Sequence, residues 1–164
     1  MTIKEVRQQY NLSQLEASNI CMMPLRTFVR YESDENYGDK LKRQMIVNTI
    51  NDKCEITEEK GILTIESIKE IVSEVLDSEE YLNTVQYCYL FGSYSRGEAT
   101  EKSDVDLFVN TSLQGLHFVG LIEALREALH KKVDLIRQTG LNNNLELTNE
   151  ILRDGIKIYL NKNF

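Results

Sequence analysis

The sequence predicts an α/β protein, a small mixed sheet with flanking helices, preceded by a small all-α unit. Three observations carry this. From residue 62 onward, strand-length apolar runs alternate with segments of helical period. Within residues 13–32, two short helical patterns flank a tight turn. Between these regions, Thr57-Glu58-Glu59-Lys60-Gly61 is a turn-rich join. The expected division is therefore 1–52 and 53–164.

Each element has a local cause. Ser13 can cap a helix over Gln14 to Ile20, and Pro24 suits the first turn of a second helix reaching Glu32. Thr64 can cap a helix to Leu76, with Ile68, Ile71, Val72, Val75 and Leu76 on one face. Ser78 to Asn83 is a polar connection, and Val85 to Phe91 reads as a buried strand. A second strand surrounds Val105 to Val109. Leu113 to His130 reads as a helix, with Phe118, Leu121, Ile122, Leu125, Ala128 and Leu129 inward. A short strand around Asp134 follows, then a loop of Gly140 and Asn142 to Asn144. Leu145 to Arg153 is a last helix stopped near Gly155. Ile156, Ile158 and Leu160 alternate as an edge strand does.

The chemistry lies between the first two strands. In Gly92-Ser93-Tyr94-Ser95-Arg96-Gly97, Gly92 lets backbone approach a ligand closely, and Ser93 opens a turn whose amides and hydroxyl can bind phosphate. Arg96 adds a forked, permanently charged donor set. Ser103-Asp104-Val105-Asp106 follows. Alternate residues of a strand share a face, so Asp104 and Asp106 point to one place, about 7 Å apart along the strand. Paired carboxylates repel unless a cation lies between them, and Mg²⁺ suits such hard oxygen ligands. A phosphate cradle beside a metal-binding acid pair suits phosphoryl or nucleotidyl transfer. The plainer readings are a turn-forming Asp-x-Asp on a solvated face, and a Ser103 that only bonds a local backbone amide.

The run GSYSRGEATEKSDVDLFV resembles the signature of the DNA polymerase β-type nucleotidyltransferases, above all their minimal (MNT) branch. The resemblance spans roughly residues 62 to 160. It implies the nucleotidyltransferase fold and a third carboxylate on a later strand, which maps to Asp134 in Lys132-Val133-Asp134-Leu135-Ile136. A capping or salt-bridging role is the other reading of Asp134. The implied site has Asp104, Asp106 and Asp134 as catalytic metal ligands, with Gly92, Ser93, Arg96 and Ser103 around the nucleotide. The implied reaction uses Mg²⁺ and ATP: an acceptor hydroxyl, deprotonated by Asp134, attacks the α-phosphate and pyrophosphate leaves. Implied acceptors are a tyrosine of a HEPN-type toxin, which would make the protein an antitoxin, or tRNA or a small molecule.

Residues 13–32 resemble the Cro/repressor-type helix-turn-helix. Its buried positions fall on Ala17, Cys21, Met23, Phe28 and Tyr31, with small Ser18 at the helix crossing. Met22 departs from the pattern, which has Gly there. The resemblance implies DNA contacts by Arg26, Thr27 and Arg30, with Lys40, Lys42 and Arg43 adding backbone contacts, and a homodimer if the site is palindromic. A module for dimerisation or for docking a partner is the alternative. Together the two parts imply an autoregulating antitoxin, or else a DNA-binding regulator whose second domain only senses nucleotide.

Composition sets bounds. The chain has 164 residues, 41% hydrophobic and 27% charged, with net charge −7. Residues 1–50 carry seven Lys/Arg against six Asp/Glu, and residues 51–164 twelve against twenty. An acidic catalytic part matches a protein or small-molecule acceptor better than a large nucleic acid. No run reaches membrane-span length and MTIKEVRQQY has no signal-peptide core, so a cytoplasmic protein is expected. Cys21, Cys54 and Cys88 form no metal pattern and fit reduced thiols. His117 and His130 are expected at the surface.

Overall fold

A computed structural model describes residues 1–141 and 144–162. The chain forms two compact units, Met1–Glu55 and Ile56–Phe164.

The first unit is helical: α1 Ile3–Gln9, α2 Gln14–Ile20, α3 Leu25–Ser33 and α4 Lys40–Cys54. Thr2 and Ser13 each close a capping box at the start of their helix, with Glu5 and Glu16 reaching back. Ala17, Phe28, Tyr31, Ile46, Val47 and Ile50 bury together with Ile3 and Val6, and Cys21 and Met23 pack against them. α2 and α3 flank the expected tight turn. There Met22 holds φ +51° and is 94% exposed. It occupies, with a side chain, a left-handed conformation that glycine adopts at no steric cost. Arg7 pairs with the largely buried Glu32 at 2.5 Å and donates to the Leu12 carbonyl, which ties α1 to α3.

α1 and α4 have no counterpart in the sequence reading. In α4 the exposed Leu41 and Met45 blur the apolar stripe formed by Ile46, Val47 and Ile50.

The second unit is built on a four-stranded sheet of order β3-β2-β1-β4, from β1 Val85–Phe91, β2 Val105–Thr111, β3 Val133–Arg137 and β4 Ile156–Leu160. β1 is antiparallel to β2 and β4, whereas β2 and β3 are parallel. The sheet is therefore mixed. Helices α5 Ile65–Leu76 and α7 Gly115–Leu129 cover one face, α6 Gly92–Ser95 is a single turn after β1, and α8 Leu145–Asp154 follows a 3-10 turn over Gln138–Leu141.

Thr64 caps α5 through Ser67 N, as its sequence position requires. Ile68, Val72 and Leu76 of α5 and Leu121, Leu125 and Leu129 of α7 bury against Cys88, Leu90, Val105, Leu107, Val109 and Ile158. This is the principal core. The opposite sheet face carries a smaller cluster of Phe91, Phe108 and Ile151, with Tyr87, Tyr89 and Ile136 around it.

The expected loop at Asn142 and Asn143 lies outside the described residues. His117 and His130 are exposed, and His130 ends α7 at φ +52°. The three cysteines are free thiols. Among the described residues, no helix is long and apolar enough to cross a membrane.

Candidate active site

The period of the strands decides which side chains meet. Val105, Leu107 and Val109 point into the core, so Asp106, Phe108 and Asn110 occupy the other face of β2. In the parallel β2/β3 ladder, Asp106 lies directly opposite Asp134. Phe91, the last residue of β1, is the antiparallel partner of Asp106. The turn that follows Phe91 thus reaches the same end of the sheet. Asp104 stands one residue ahead of β2, and both it and Asp134 are exposed while Asp106 is half-buried.

The turn and the strand fit each other at close range. Gly92 is buried at φ +71°, and a Cβ there would lie 2.1 Å from Asp106 Oδ2. Ser95 Oγ donates to the Gly92 carbonyl at 2.9 Å, and the Glu98 amide donates to the Ser93 carbonyl at 2.9 Å. The Ser93 hydroxyl makes no hydrogen bond among the described residues.

Electrostatics concentrate on Asp106. Burial pushes its carboxyl up from 3.8 to about 6, and the charges of Asp134, Asp104 and Glu150 push in the same direction. Arg96 opposes them. Among the described residues no three His, Cys, Asp or Glu side chains are gathered closely enough to hold a metal ion. The strand positions nonetheless suit one. Asp106 and Asp134 are register partners, Asp104 is two residues from Asp106, and all donors are hard oxygens. A divalent cation would offset the repulsion that Asp134 and Asp104 exert on Asp106, so the residues fit the Mg²⁺ that the sequence resemblance implies.

Other expected site residues have further duties. Arg96 pairs with Glu98 at 2.9 Å, with Glu150 at 2.7 Å and with Asp154 at 3.9 Å. It fastens α8 to the turn, where the sequence suggests a phosphate contact. Ser103 Oγ accepts from the Thr100 amide at 2.8 Å, which is the local bond named as its plainer reading.

Sequence reasoning missed Glu150 and Asp154. Their i, i+4 spacing on one face of α8, opposite a lone arginine in the turn, is the signal that could have found them. It also missed Lys131. That side chain is fully buried, and its ammonium donates to the Lys60 carbonyl at 3.2 Å and to the Glu101 carbonyl. It pins the loop that leads into Asp104. Desolvation lowers its pKa, against the pull of Glu101, Glu59 and Glu58.

In the helical unit Arg26 and Arg30 are exposed and Thr27 is half-buried. Arg26 makes no ion pair or hydrogen bond among the described residues, and Arg30 lies 5.6 Å from the Tyr37 ring centroid. Arg43 is committed elsewhere than to a DNA backbone. It donates to the carbonyls of Tyr31, at 2.7 Å, of Tyr37, at 2.9 Å, and of Asp34. It closes the end of α3 and the loop beyond it.

Residues 66–164 match the family described as polymerase beta, nucleotidyltransferase. The chain belongs to this nucleotidyltransferase family. Among relatives of this nucleotidyltransferase, protein adenylyltransferase MntA of Thermococcus cleftensis is 35% identical over 102 residues, covering 60% of this chain and 99% of the relative. A Methanocaldococcus jannaschii protein named for the same activity is 38% identical over 84 residues, 49% of this chain and 84% of its own. A crystal structure of a toxin–antitoxin with AMP-PNP aligns at TM-score 0.47 and 26% identity, over 58% of this nucleotidyltransferase and 75% of that chain.

Proposed function

We propose that this nucleotidyltransferase moves AMP from ATP to a hydroxyl of a protein partner, a tyrosine of a HEPN-type toxin, and so serves as the antitoxin of a pair. The observation that carries the reading is the register of Asp106 against Asp134 beside the Gly92 turn. The activity named for the relatives supports a protein acceptor, as does the acidity of residues 51–164.

Asp104, Asp106 and Asp134 would hold Mg²⁺, which supplies charge neutralisation on the triphosphate and on the departing pyrophosphate. The remaining steps belong to the chain. Ser93 and the Gly92 backbone hold the terminal phosphates, with Arg96 within reach. Asp134, the most solvent-facing strand acid, takes the proton of the incoming tyrosine hydroxyl, whose oxygen attacks the α-phosphorus as the bond to pyrophosphate breaks. Positioning and charge neutralisation provide most of the acceleration. We further propose that residues 13–32 bind DNA through Arg26, Thr27 and Arg30, as a dimer on a palindrome, so that the protein controls its own expression.

The test is incubation with α-³²P-ATP and Mg²⁺ in lysate of the native cells, beside the Asp104→Ala/Asp106→Ala double variant. A protein band labelled by the wild type alone is expected. No label from any of the four nucleoside triphosphates, despite measurable nucleotide binding, would favour a nucleotide-sensing regulator instead.

A further inference from the structure

Asp104 is the member of the acid set that lies outside the strand ladders. Asp106 and Asp134 are register partners within β2 and β3, whereas Asp104 precedes β2 by one residue, at the end of a loop. Its place is set from both sides by the two residues that lead into β3. After it, the Val105 amide donates to the Lys132 carbonyl at 2.9 Å. Before it, the Lys131 ammonium donates to the Glu101 carbonyl. Between these anchors the loop closes on itself. The Ser103 amide donates to the Thr100 carbonyl at 3.0 Å, and the Thr100 amide donates to Ser103 Oγ at 2.8 Å.

Lys131 also reaches a second segment. It donates to the Lys60 carbonyl at 3.2 Å, in a turn that Thr57 and Lys60 close as an antiparallel bridge. The rest of that turn is fastened to the same region. Glu58 pairs with Arg126 of α7 at 2.6 Å, Glu59 pairs with Lys102 at 3.5 Å, and the Gly61 amide donates to Glu101 Oε1 at 3.4 Å. The turn precedes residues 66–164, so the family match does not account for it. The Lys131 side chain is fully buried, and its hydrogen-bond partners are carbonyls rather than carboxylates. Burying an ammonium is costly, and such bonds only offset the cost, so a side chain of this kind adds little stability over an apolar one of the same shape. What it secures is position: two chain segments held at a fixed distance from the start of β3.

We propose that Lys131 is a positioning residue for nucleotidyl transfer. By clamping the Thr57–Gly61 turn and the loop before Asp104 to the start of β3, it sets where Asp104 stands relative to Asp106 and Asp134, and so how well the three hold Mg²⁺. Fully buried, Lys131 acts through Asp104. The assignment rests on the reading of the three acids as metal ligands.

The test uses the full chain. ATP affinity is measured by calorimetry across a series of Mg²⁺ concentrations, and amide hydrogen exchange is followed by mass spectrometry. Lys131→Met keeps most of the side-chain length and removes the donors. Lys131→Gln keeps a donor that falls short of the carbonyls, and it carries the test where Lys131→Met does not fold. In either variant the Mg²⁺ concentration needed to tighten ATP binding half-maximally should rise about tenfold or more, the loss typical when a group supporting a metal ligand is removed. Exchange should quicken in residues 57–61 and 98–103 together. Val72→Ala, at a buried position of α5, destabilises the unit without touching the clamp and should keep the wild-type Mg²⁺ dependence. Wild-type Mg²⁺ dependence in a folded Lys131 variant, or an equal shift in Val72→Ala, would overturn the positioning role and leave the acid-site reading standing. Failure of both Lys131 variants to fold would make the residue a folding requirement and likewise overturn it. ATP binding by the wild type that is indifferent to Mg²⁺ would remove the acid-site reading and this role with it.

Discussion

A β-carbon on Gly92 would stand 2.1 Å from Asp106 Oδ2. The turn proposed to cradle phosphate and the acid proposed to hold the metal thus share one volume, and only glycine leaves it to the carboxylate. Gly92→Ala should cost about 1–2 kcal/mol from the left-handed backbone alone. It should also displace Asp106 and cut nucleotidyl transfer at least about 100-fold. Melting curves and labelled-transfer rates measured together check this. Full activity would mean that the acid and the turn do not cooperate.

Asp106 should make the metal-free protein sensitive to pH. Its folded-state carboxyl rises from 3.8 to about 6. Between those values the folded protein holds a proton that the unfolded chain has lost. The stability this group contributes is therefore fully present below 3.8 and is lost as pH rises through about 6. The effect is at most roughly 3 kcal/mol, less where water screens it. Asp106→Asn should be inactive yet melt higher than the wild type at pH 7.5, and the gap should close toward pH 4. Mg²⁺ should raise the wild-type Tm at pH 7.5 more than that of the variant. A gap independent of pH would show that Asp106 is not the strained group.

Met22 keeps a left-handed backbone at the α2–α3 turn with its side chain almost wholly in solvent. Met22→Gly removes the steric cost and loses little packing, so the first unit should gain about 0.5–1 kcal/mol. Chemical denaturation followed by circular dichroism measures it. Destabilisation would mean that Met22 makes contacts in solution that compensate for its backbone.

Arg26 and Arg30 are the exposed cations of α3. Arg26→Ala/Arg30→Ala should weaken binding to a DNA fragment from upstream of the protein's own gene, and reduce the dependence of log affinity on log salt by about 4, two contacts from each protomer of the dimer. Gel shifts at several salt concentrations decide it. Wild type and variant that bind equally, or neither binding at all, would assign the helical unit to protein contacts.

The candidate site was legible where chemistry is local in sequence. Gly92, Ser93, Asp104 and Asp106 lie within fifteen residues, and strand alternation gives their common face. Asp134 was reached through resemblance, because its place opposite Asp106 depends on a ladder closed across α7, and no local spacing encodes that. Glu150 and Arg96 meet across a separation that only the folded chain brings to 2.7 Å. The fold was legible where apolar periodicity was clean, as in α5 with Ile68, Val72 and Leu76. It was obscured in α4, where Leu41 and Met45 face solvent and break the stripe. Buried Lys131 was invisible for the opposite reason: a charged side chain reads as surface until its carbonyl partners are known.

The parallel pairing of Asp106 with Asp134 makes the reactive centre a matter of phase between two strands. A strand alternates faces at every residue, so inserting a single residue between Lys131 and Val133 would turn Asp134 toward the core and Leu135 toward solvent. Length changes within the loop before α7, between Thr111 and Gly115, would leave that phase intact. The spacing from Lys131 to Asp134 is therefore held as rigidly as the acids themselves.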